Sequence, residues 1–248
     1  MERGAIIVIP ARSGSTRLSK KVILSLKGKP MLWYVYKNAQ RVKNVESVLI
    51  ATDSQEILSV VQGFGGKAVL TSPLHKCGTD RIAEAVENID CSIIINVQAD
   101  EPLLSPLVVE ELLQQMLEFK DCQMGTVAVP IDSMQDIQNP SITKVVCDRE
   151  NFALYFSRSG IPYPKKLDSG RWLKHLGIYA YRKDFLRTFT RIKHSMLEDT
   201  EGLEQLRALE NGYRIKVVIS QYDSISVDTM EDLKKVREIM KDRQRGDR

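Results

Sequence analysis

The chain lacks features that define several large protein classes. Its 248 residues include only four cysteines, and no two of them form a CxxC pair. The cysteines are Cys77, Cys91, Cys122 and Cys147. Neither a disulfide framework nor a zinc site is therefore indicated. This cysteine usage favours a reducing, cytoplasmic setting.

Long hydrophobic runs are absent as well. No apolar stretch approaches the roughly 20 residues that span a bilayer, and the apolar segment near the N-terminus is too short for a signal peptide. The formal net charge of +4 is mild, and the basic C-terminal stretch has neither interleaved aromatic residues nor a recognition motif. We therefore expect neither a membrane nor a nucleic-acid partner.

The glycine-rich phosphate-binding fingerprints are also missing. Neither GxGxxG nor GxxxxGK[ST] occurs, which argues against a dinucleotide enzyme and against a P-loop NTPase. A nucleotide in this chain must be bound in another way.

Short apolar runs alternate with amphipathic stretches in the first half of the chain. Such runs, rich in Val and Ile, predict strands at residues 5–9, 47–51, 67–71 and 92–97. The amphipathic stretches predict helices at residues 31–43, 54–62 and 79–89. Ser105 and Pro106 predict the N-cap and the first residue of a further helix. Continuous apolar strands separated by helices indicate a parallel sheet covered on both faces.

The pattern changes at about residue 124. Four closely spaced strand-like segments follow, which is typical of antiparallel pairing: GTVAVPI, TKVVCD, ALYFSR and LKHLGIYAYR. A helix is then predicted at 198–211, ended by Gly212, followed by a strand at 214–220 and a last helix at 229–243. The prediction is an α/β core with an antiparallel insertion, closed by the C-terminal segment.

A basic loop follows the first predicted strand. Residues 11–21 contain Arg12, Arg17, Lys20 and Lys21 together with Ser, Thr and Gly. In open α/β sheets, ligands bind at the carboxyl ends of the strands. Arg and Lys side chains bind phosphate oxygens, so the loop is a candidate polyphosphate site. The alternative is a basic surface loop.

Two aspartates follow other predicted strands. Asp100 ends the fourth strand, in NVQADEP, and Asp228 precedes the last helix, in SVDTMEDL. We expect both near the basic loop, where two carboxylates and substrate phosphates suit Mg²⁺. The alternatives are a turn role for Asp100 and an N-cap role for Asp228, with Asp232 solvated. The segment CGTDR opens a predicted helix with Thr79 as a candidate cap and Arg81 as a cation for a ligand, which is a weak signal alone.

Together these motifs resemble one family nearly end to end. The resemblance is carried by PARSGSTRL, GKPM, VLIATDSQEI, CGTDR, NVQADEP, KVVCDRENFALYFSRSGIPY, KHLGIYAYR, GLEQLRALENG and VDTMEDL. The family is the CTP:3-deoxy-D-manno-octulosonate (Kdo) cytidylyltransferases, or CMP-Kdo synthetases. The resemblance implies a Rossmann-like, GT-A-like nucleotidyltransferase fold, with a mixed sheet flanked by helices in a core of residues 1–130 and 206–248. The sugar-binding and dimerisation insertion is then residues 131–205.

The resemblance also implies a reaction and its residues. The anomeric hydroxyl of Kdo attacks the α-phosphate of CTP in line, giving CMP-Kdo for lipopolysaccharide synthesis and pyrophosphate. Implied nucleotide-binding residues are Ala11, Arg12, Ser15, Arg17, Lys21, Thr79 and Arg81. Implied sugar-binding residues are Gln98, Arg158, His175, Tyr179, Glu204 and Gln205, with Arg158 and His175 supplying a cationic or donor-rich pocket for the sugar carboxylate. Implied Mg²⁺ ligands are Asp100 and Asp228, and implied catalytic residues are Lys21, Arg12 and Asp100. A homodimer is implied too.

The chain departs from the family pattern at two places. Ser19, Lys20 and Val22 replace Pro, Gly and Pro of the basic loop, and Ala99 replaces the Gly of QGDEP. Both changes leave the charged residues in place but bear on loop shape and substrate affinity. The alternatives are a cytidylyltransferase for a related acid, either 8-amino-Kdo or a nonulosonate, and a catalytically impaired nucleotide-binding homologue.

Overall fold

The computed structural model describes residues 4–12, 14, 21–165 and 171–246. The chain divides into two compact units. The first unit comprises Met1–Cys91, Asn96–Pro106 and Ser224–Arg248. The second comprises Ser92–Ile95 and Leu107–Asp223, so the predicted insertion at residues 131–205 lies within the second unit.

Strands and helices occur in both units. The strands of the described ranges are β1 (Ala5–Ala11), β2 (Ser25–Leu26), β3 (Lys29–Pro30), β4 (Val45–Thr52), β5 (Ala68–Leu70), β6 (Ile93–Asn96), β7 (Met124–Ile131), β8 (Lys144–Cys147), β9 (Ala153–Ser157), β10 (Trp172–Arg182) and β11 (Ile215–Ile219). The helices are α1 (Met31–Ala39), α2 (Gln55–Gly63), α3 (Gly78–Ala85), α4 (Pro106–Glu118), α5 (Met134–Gln138), α6 (Lys183–Phe189), α7 (Met196–Glu201), α8 (Leu206–Glu210) and α9 (Met230–Gly246). The predicted mixed α/β class is confirmed.

Parallel strands form the sheet of the first unit. β1 pairs in parallel with β4, which pairs in parallel with β5. After β6, the Val97 N–H donates to the Val8 carbonyl at 3.1 Å, so this segment runs alongside β1. Ile7, Val8 and Ile9 have no exposed surface. A strand covered on both faces is apolar throughout, which explains why these runs were recognisable in the sequence.

The C-terminal segment completes the first unit. Its last helix, α9, packs on the chain just after the basic loop. The buried cluster that joins them consists of Leu26, Met31, Val227, Leu233 and Val236. This packing brings two segments about 200 residues apart in sequence to one side of the first unit.

A short hairpin follows the basic loop and was not predicted. Its strands β2 and β3 pair antiparallel across a two-residue turn in which Lys27 has φ 45° and Gly28 φ 81°. Two positive φ values define a type I′ turn, the connection that best fits the twist of paired strands. The strands have two residues each, too few for a period-2 pattern to be visible.

Antiparallel pairing dominates the second unit. β10 pairs antiparallel with β7 and with β8, β8 pairs antiparallel with β9, and β11 is parallel to β7. The four strand-like segments recognised after residue 124 are β7, β8, β9 and β10, so the antiparallel prediction is confirmed. Helix α4 begins at Pro106, as expected, and buries Val108, Leu112 and Met116.

An irregularity in β10 brings two of the predicted site residues together. Across the β7 ladder His175 lies opposite Ala128, whereas Tyr179 lies opposite Thr126, with a register shift between Leu176 and Tyr179. The four-residue separation along β10 therefore spans only two residues of β7. Bulges of this kind re-aim side chains, and here they place both rings on the same face at neighbouring positions.

The helix predicted at 198–211 is wrong as a single element. The chain forms α7 and α8 instead, separated at Gly202, which has φ 64° and ψ 40°. Its N–H donates to the Glu198 carbonyl at 2.8 Å, so Gly202 is a left-handed helix C-cap. The leucine periodicity continues through the break, and this continuity misled the prediction. Gly212, with φ 78°, does follow the end of α8.

Two further observations bear on the class of protein. In the described part of the chain, no helix is long and apolar enough to cross a membrane. All four cysteines fall in the described ranges, and each is a free thiol. Burial, with a contribution from Asp148, raises the pKa of the Cys147 thiol to about 11, so this side chain is protonated at neutral pH.

Candidate active site

An ion cluster lies in the first unit. The Lys21 Nζ is 2.6 Å from Asp100 Oδ2 and 2.9 Å from Asp228 Oδ1. These residues are separated by 79 and 207 positions in the sequence. The convergence that was expected of the basic loop and the two aspartates is therefore present for these three side chains.

Local structure holds the two aspartates at this position. Asp100 lies in the turn after β6, and its carbonyl accepts a hydrogen bond of 2.9 Å from the Val227 N–H. This bond fixes the segment around Asp228 against the turn that carries Asp100. Lys21 begins a 3₁₀ turn, Lys21–Ile23, whose Val22 is buried. Each charged side chain is thus attached to a backbone segment with defined partners.

Asp228 is not the cap of the last helix. The Oδ2 of Asp232 accepts from the Asp228 N–H at 3.1 Å and from the Thr229 N–H at 2.8 Å, while Thr229 Oγ1 accepts from the Asp232 N–H at 3.2 Å. This is a reciprocal capping box with Thr229 as N-cap. The alternative roles for Asp228 as a cap and for Asp232 as a solvated residue are therefore wrong, and the Asp228 carboxylate is turned towards Lys21.

The cluster carries one more negative than positive charge. Burial lowers the pKa of Lys21, but Asp100 and Asp228 outweigh this effect and raise the pKa above its usual value. Lys21 is therefore a cation at neutral pH, shared by two carboxylates. The two carboxylate oxygens converge on a single cationic atom, and hard oxygen ligands of this number suit Mg²⁺ when phosphates and waters complete the shell. Within the described residues, no group of three or more His, Cys, Asp or Glu residues forms a metal cage.

The start of the basic loop follows β1 directly. Ala11 is the buried last residue of β1, and Arg12 is exposed. Ser15 and Arg17 lie outside the described residues. Helix α3 approaches the same strand closely, because a Cβ at Gly78 would lie 3.3 Å from Pro10 Cγ. The N-terminus of α3 therefore lies beside the end of β1.

Thr79 and Arg81 are both buried in helix α3, each with 2% exposure. Thr79 is not the N-cap; Cys77 is, and its Sγ accepts from the Asp80 N–H at 3.4 Å. Thr79 lies one residue inside the helix, so its hydroxyl is not at the cap position. The prediction of Thr79 as cap is wrong.

Arg81 binds protein groups at the ends of β4 and β5. Its Nη2 donates to Asp53 Oδ2 at 2.8 Å, and its Nη1 donates to Thr71 Oγ1 at 2.5 Å. The guanidinium thus joins the carboxyl ends of two parallel strands. Asp53 was missed by the sequence reasoning, although its place directly after a strand is the same signal that identified Asp100.

Gln98 lies two residues before Asp100 in the same turn. Its Nε2 donates to Asn96 Oδ1 at 3.3 Å. The other predicted sugar-binding residues belong to the second unit, and three of them are close to one another there.

His175 and Tyr179 form an aromatic cluster with Phe156. The ring centroids of His175 and Tyr179 are 5.4 Å apart, and those of Phe156 and His175 are 5.0 Å apart. His175 is half-buried as a whole residue, and burial lowers its pKa to about 3. The imidazole is therefore neutral at physiological pH.

The carbonyls of Ile178 and Leu176, both within hydrogen-bond distance of the Thr126 hydroxyl, favour one tautomer of His175. The Thr126 hydroxyl donates to the Ile178 carbonyl at 2.7 Å, and it is 2.9 Å from His175 Nε2. Because the hydroxyl has a single proton, its oxygen accepts from the Nε2–H. His175 Nδ1 is then an acceptor, suited to a substrate hydroxyl rather than to a carboxylate.

Glu204 and Gln205 follow the break between α7 and α8. Burial and the charge of Glu204 raise the pKa of Tyr179, which places this carboxylate near the phenol. Glu204 Oε1 accepts from Arg207 Nη2 at 2.8 Å. Gln205 is 3% exposed, and its Nε2 has no partner among the described residues. A buried amide of this kind is an available donor for a polar ligand.

Arg158 has its guanidinium on backbone carbonyls. Nε donates to Glu201 O at 2.8 Å, Nη1 to Pro140 O at 3.1 Å and Nη2 to Gly202 O at 3.4 Å. The side chain therefore binds the C-terminal end of α7, where cations are favoured. Lys144, which the sequence reasoning did not select, binds the Arg158 carbonyl from the other side at 2.6 Å.

Comparisons with known proteins identify the family. A family model described as cytidylyltransferase matches residues 6–216. The chain is 47% identical over 239 residues to a 3-deoxy-manno-octulosonate cytidylyltransferase of Chloroherpeton thalassium, covering 95% of this chain and 97% of the relative. It is 44% identical over 247 residues to a relative of the same name from Geotalea daltonii, covering 95% and 98%.

A solved structure is similar over the same length. This is a CMP:2-keto-3-deoxy-manno-octonic acid synthetase complexed with CTP, which has 43% sequence identity and a TM-score of 0.93. The match covers 97% of this chain and 99% of that chain. The chain belongs to the 3-deoxy-manno-octulosonate cytidylyltransferase family.

Membership confirms several expectations. The fold of this cytidylyltransferase is the nucleotidyltransferase fold, and the chain is a nucleotidyltransferase enzyme. The departures at Ser19, Lys20, Val22 and Ala99 do not change the family. Ala99 is 6% exposed, so its additional methyl group is accommodated in the protein interior beside Asp100.

Proposed function

We propose that the protein transfers the cytidylyl group of CTP to Kdo, giving CMP-Kdo and pyrophosphate for lipopolysaccharide synthesis. The observation that carries this proposal is the position of Lys21 Nζ within 2.9 Å of both Asp100 and Asp228. Family membership supports the choice of CTP and Kdo as substrates. In the proposed step, the anomeric oxygen of Kdo forms a bond to the α-phosphorus of CTP. The bond between the α-phosphorus and the oxygen bridging to the β-phosphorus breaks, pyrophosphate leaves, and the hydroxyl proton passes to solvent.

Mg²⁺ is the proposed cofactor, and Asp100 and Asp228 are its proposed ligands. Bound Mg²⁺ neutralises phosphate charge and orients the triphosphate. Two converging carboxylates support this assignment. In this proposal Lys21 binds phosphate oxygens of CTP, and Arg12, exposed at the end of β1, adds a second cation for the charge that develops on the leaving pyrophosphate.

The sugar acid is proposed to bind in the second unit. Arg158 binds the carboxylate, and neutral His175 accepts from a hydroxyl at Nδ1. Gln205 donates through its buried amide, while Glu204 and Tyr179 bind further hydroxyls. Nucleophilic attack needs both substrates to be aligned, so these contacts act mainly by positioning.

A cytoplasmic homodimer is proposed. Free thiols at all four cysteines support a reducing compartment. Support for self-association comes from large apolar side chains that are exposed in the second unit, among them Leu154 at 62% and Met196 at 74%.

Pyrophosphate release from CTP tests the function directly. Wild-type protein is assayed with Kdo, 8-amino-Kdo and a nonulosonate, with CTP and UTP, and with and without Mg²⁺. We expect release with CTP, Kdo and Mg²⁺, and a loss on the order of a hundredfold in Asp228→Asn. Asp223→Asn is the matched control, because Asp223 also pairs with a lysine, Lys174, at 2.7 Å. An equal loss in both variants, or no release with any sugar acid, would exclude the proposed role.

A further inference from the structure

Lys144 is a fully buried lysine whose ammonium binds only main-chain carbonyls. The residue begins β8 and has 0% exposure. Its Nζ donates to Asn139 O at 2.9 Å, to Ile142 O at 2.5 Å and to Arg158 O at 2.6 Å. An ammonium has three N–H donors, so all of them are used. Burying an ammonium group without a hydrogen-bonded carboxylate costs free energy. Packing alone therefore does not explain a lysine at this position.

Arg158 also binds the loop at residues 139–142, which Lys144 binds. Lys144 binds the carbonyls of Asn139 and Ile142, and Arg158 Nη1 binds the carbonyl of Pro140 between them. Arg158 also binds the carbonyls of Glu201 and Gly202. Two cations thus join the loop at residues 139–142 to the end of α7.

The side-chain carboxylate of Glu201 binds the backbone of Arg158 and the neighbouring Ser157, whereas its main-chain carbonyl binds the guanidinium. Its Oε1 accepts from Ser157 Oγ at 2.6 Å, and its Oε2 accepts from the Arg158 N–H at 2.9 Å. Lys144, Ser157, Arg158 and Glu201 therefore form one connected set, the Lys144–Glu201 network. The backbone of Arg158 is therefore hydrogen-bonded at its N–H by Glu201 and at its carbonyl by Lys144.

The network leaves binding capacity at Arg158. Three of the five guanidinium N–H groups bind carbonyls, and the other two, one on each Nη atom, have no partner among the described residues. The network holds two cations and one carboxylate. Its positive charge is therefore only partly compensated. An anion beside the free N–H groups would compensate it.

The segment that the network grips leads into the proposed sugar site. Gly202, whose carbonyl binds Arg158, is followed directly by Leu203, Glu204 and Gln205. Its φ of 64° sets the direction in which the chain leaves α7. A shift of the gripped carbonyls would therefore move Glu204 and Gln205 together with Arg158.

We infer that Lys144 and Glu201 are positioning residues for the sugar-acid site: they hold Arg158 so that its two remaining N–H groups bind the substrate carboxylate. This inference rests on the proposed function, which assigns Kdo to the second unit. It predicts a loss that is specific for the sugar acid and, within the sugar acid, specific for its carboxylate.

The test compares ligand affinities in Lys144→Met and Glu201→Gln. Isothermal titration gives the Kd of CTP, of Kdo and of the Kdo carboxamide for each variant, and steady-state kinetics gives the KM for Kdo. We expect the Kd of Kdo to rise at least about tenfold in both variants, since a charge-assisted bidentate contact is misplaced. We expect the Kd values of CTP and of the carboxamide to stay within about twofold, because neither depends on that contact.

Lys216→Met is the matched control. Lys216 is also a buried lysine of the second unit, with 5% exposure, and its Nζ donates to a carbonyl, Glu150 O, at 2.6 Å. Its described partners are Glu150 O and the rings of Phe119 and Phe152, none of which belongs to the Lys144–Glu201 network. The control variant should lose stability but keep the wild-type affinity for Kdo.

The contrary outcomes are distinct. Unchanged Kdo affinity in both variants overturns the inference alone, provided that the wild type binds Kdo. If the affinities for Kdo and for its carboxamide fall equally, and fall in Lys216→Met as well, the effect is a general loss of structural order. This outcome also overturns the inference. Wild-type protein that binds CTP but not Kdo overturns the proposed function as well. If Lys144→Met does not fold, the result for Glu201→Gln decides, since this exchange keeps the side-chain shape.

Discussion

At the residue scale, Lys21 and the proposed Mg²⁺ compete for the two carboxylates of the first unit. Lys21 Nζ lies within 2.9 Å of an oxygen of both Asp100 and Asp228, and the same two side chains would hold the proposed Mg²⁺. An ammonium and a divalent ion repel each other strongly at such distances. Metal binding therefore requires Lys21 to move from the carboxylates, and phosphate oxygens of the nucleotide are its natural next partners.

Substituting Lys21 should separate metal binding from turnover. In Lys21→Met we expect Mg²⁺ without nucleotide to bind at least about tenfold more tightly, because the competing cation is gone. Turnover should fall on the order of a hundredfold, because the phosphate contact is lost. Titration calorimetry with MgCl₂ and the pyrophosphate assay measure the two effects. Lys174→Met, which removes a similar ion pair with Asp223, should change neither, and weaker Mg²⁺ binding in Lys21→Met would contradict the competition.

His175 should make the folded state sensitive to acid. Burial lowers its pKa to about 3, against about 6.5 in an unfolded chain. The unfolded state therefore binds more protons below pH 6.5, and stability is lost as the pH falls through that value. The loss attributable to this residue is about 1.4 kcal/mol at pH 5.5 relative to pH 8.

Denaturant unfolding at both pH values measures this contribution. His175→Gln should lose less stability on acidification than the wild type, by the stated amount. His194→Gln, at a side chain that is 66% exposed, should keep the wild-type difference. Equal pH dependence of His175→Gln and wild type would show that the imidazole is not held neutral by burial.

At the element scale, the break between α7 and α8 is the feature that arranges the second unit's candidate residues. Gly202 ends α7 in the left-handed region and lets the chain turn before Glu204. A Cβ at this position would meet nothing within 4 Å. The requirement for glycine is therefore conformational and not steric.

Gly202→Ala should lower the free energy of unfolding by about 1 kcal/mol, the cost of a non-glycine residue at positive φ. Gly63→Ala is the matched control, since a Cβ there also meets nothing within 4 Å but φ is not positive. That exchange, inside helix α2, should stabilise by up to about 1 kcal/mol. Chemical denaturation measures both, and destabilisation of equal size in the two variants would contradict a conformational cause.

Regular elements could be predicted from the sequence because their patterns are local. β1 and β4 are parallel, buried strands, and their Val- and Ile-rich runs reflect this directly. The hairpin β2–β3 was missed because two-residue strands leave no period. The helix break at Gly202 was missed because leucine spacing continues through it, and a single glycine inside a helical pattern is compatible with either outcome.

The candidate site was predictable only where chain topology determines it. Lys21, Asp100 and Asp228 were expected together because carboxyl ends of parallel strands lie at one sheet edge. The burial of Arg81 against Asp53, and of Lys144 among carbonyls, depends on tertiary packing that no local pattern records. The neutral state of His175 likewise follows from the surrounding protein, which the residue type alone does not reveal.

At the scale of the whole molecule, exposed apolar residues are distributed unevenly. Most large apolar side chains with high exposure belong to the second unit: Leu107, Leu117, Phe119, Met134, Leu154, Tyr163, Met196, Ile219 and Tyr222. In the described part of the first unit they are Leu70, Leu74 and Met230. Their excess in the second unit favours that unit for the proposed homodimer, and an association surface requires that they form a contiguous patch.

A pair of leucine substitutions tests the association surface. Leu154, on β9, is 62% exposed, and Leu74, in the loop after β5, is 86% exposed. We expect the wild type to elute as a dimer in light-scattering chromatography and Leu154→Glu to shift to monomer at micromolar concentration, because a charge must be desolvated in an apolar interface. Leu74→Glu should remain dimeric despite its greater exposure, since it belongs to the first unit. A monomeric wild type, or dissociation caused by the change at Leu74 and not by that at Leu154, would place the association surface elsewhere or remove it.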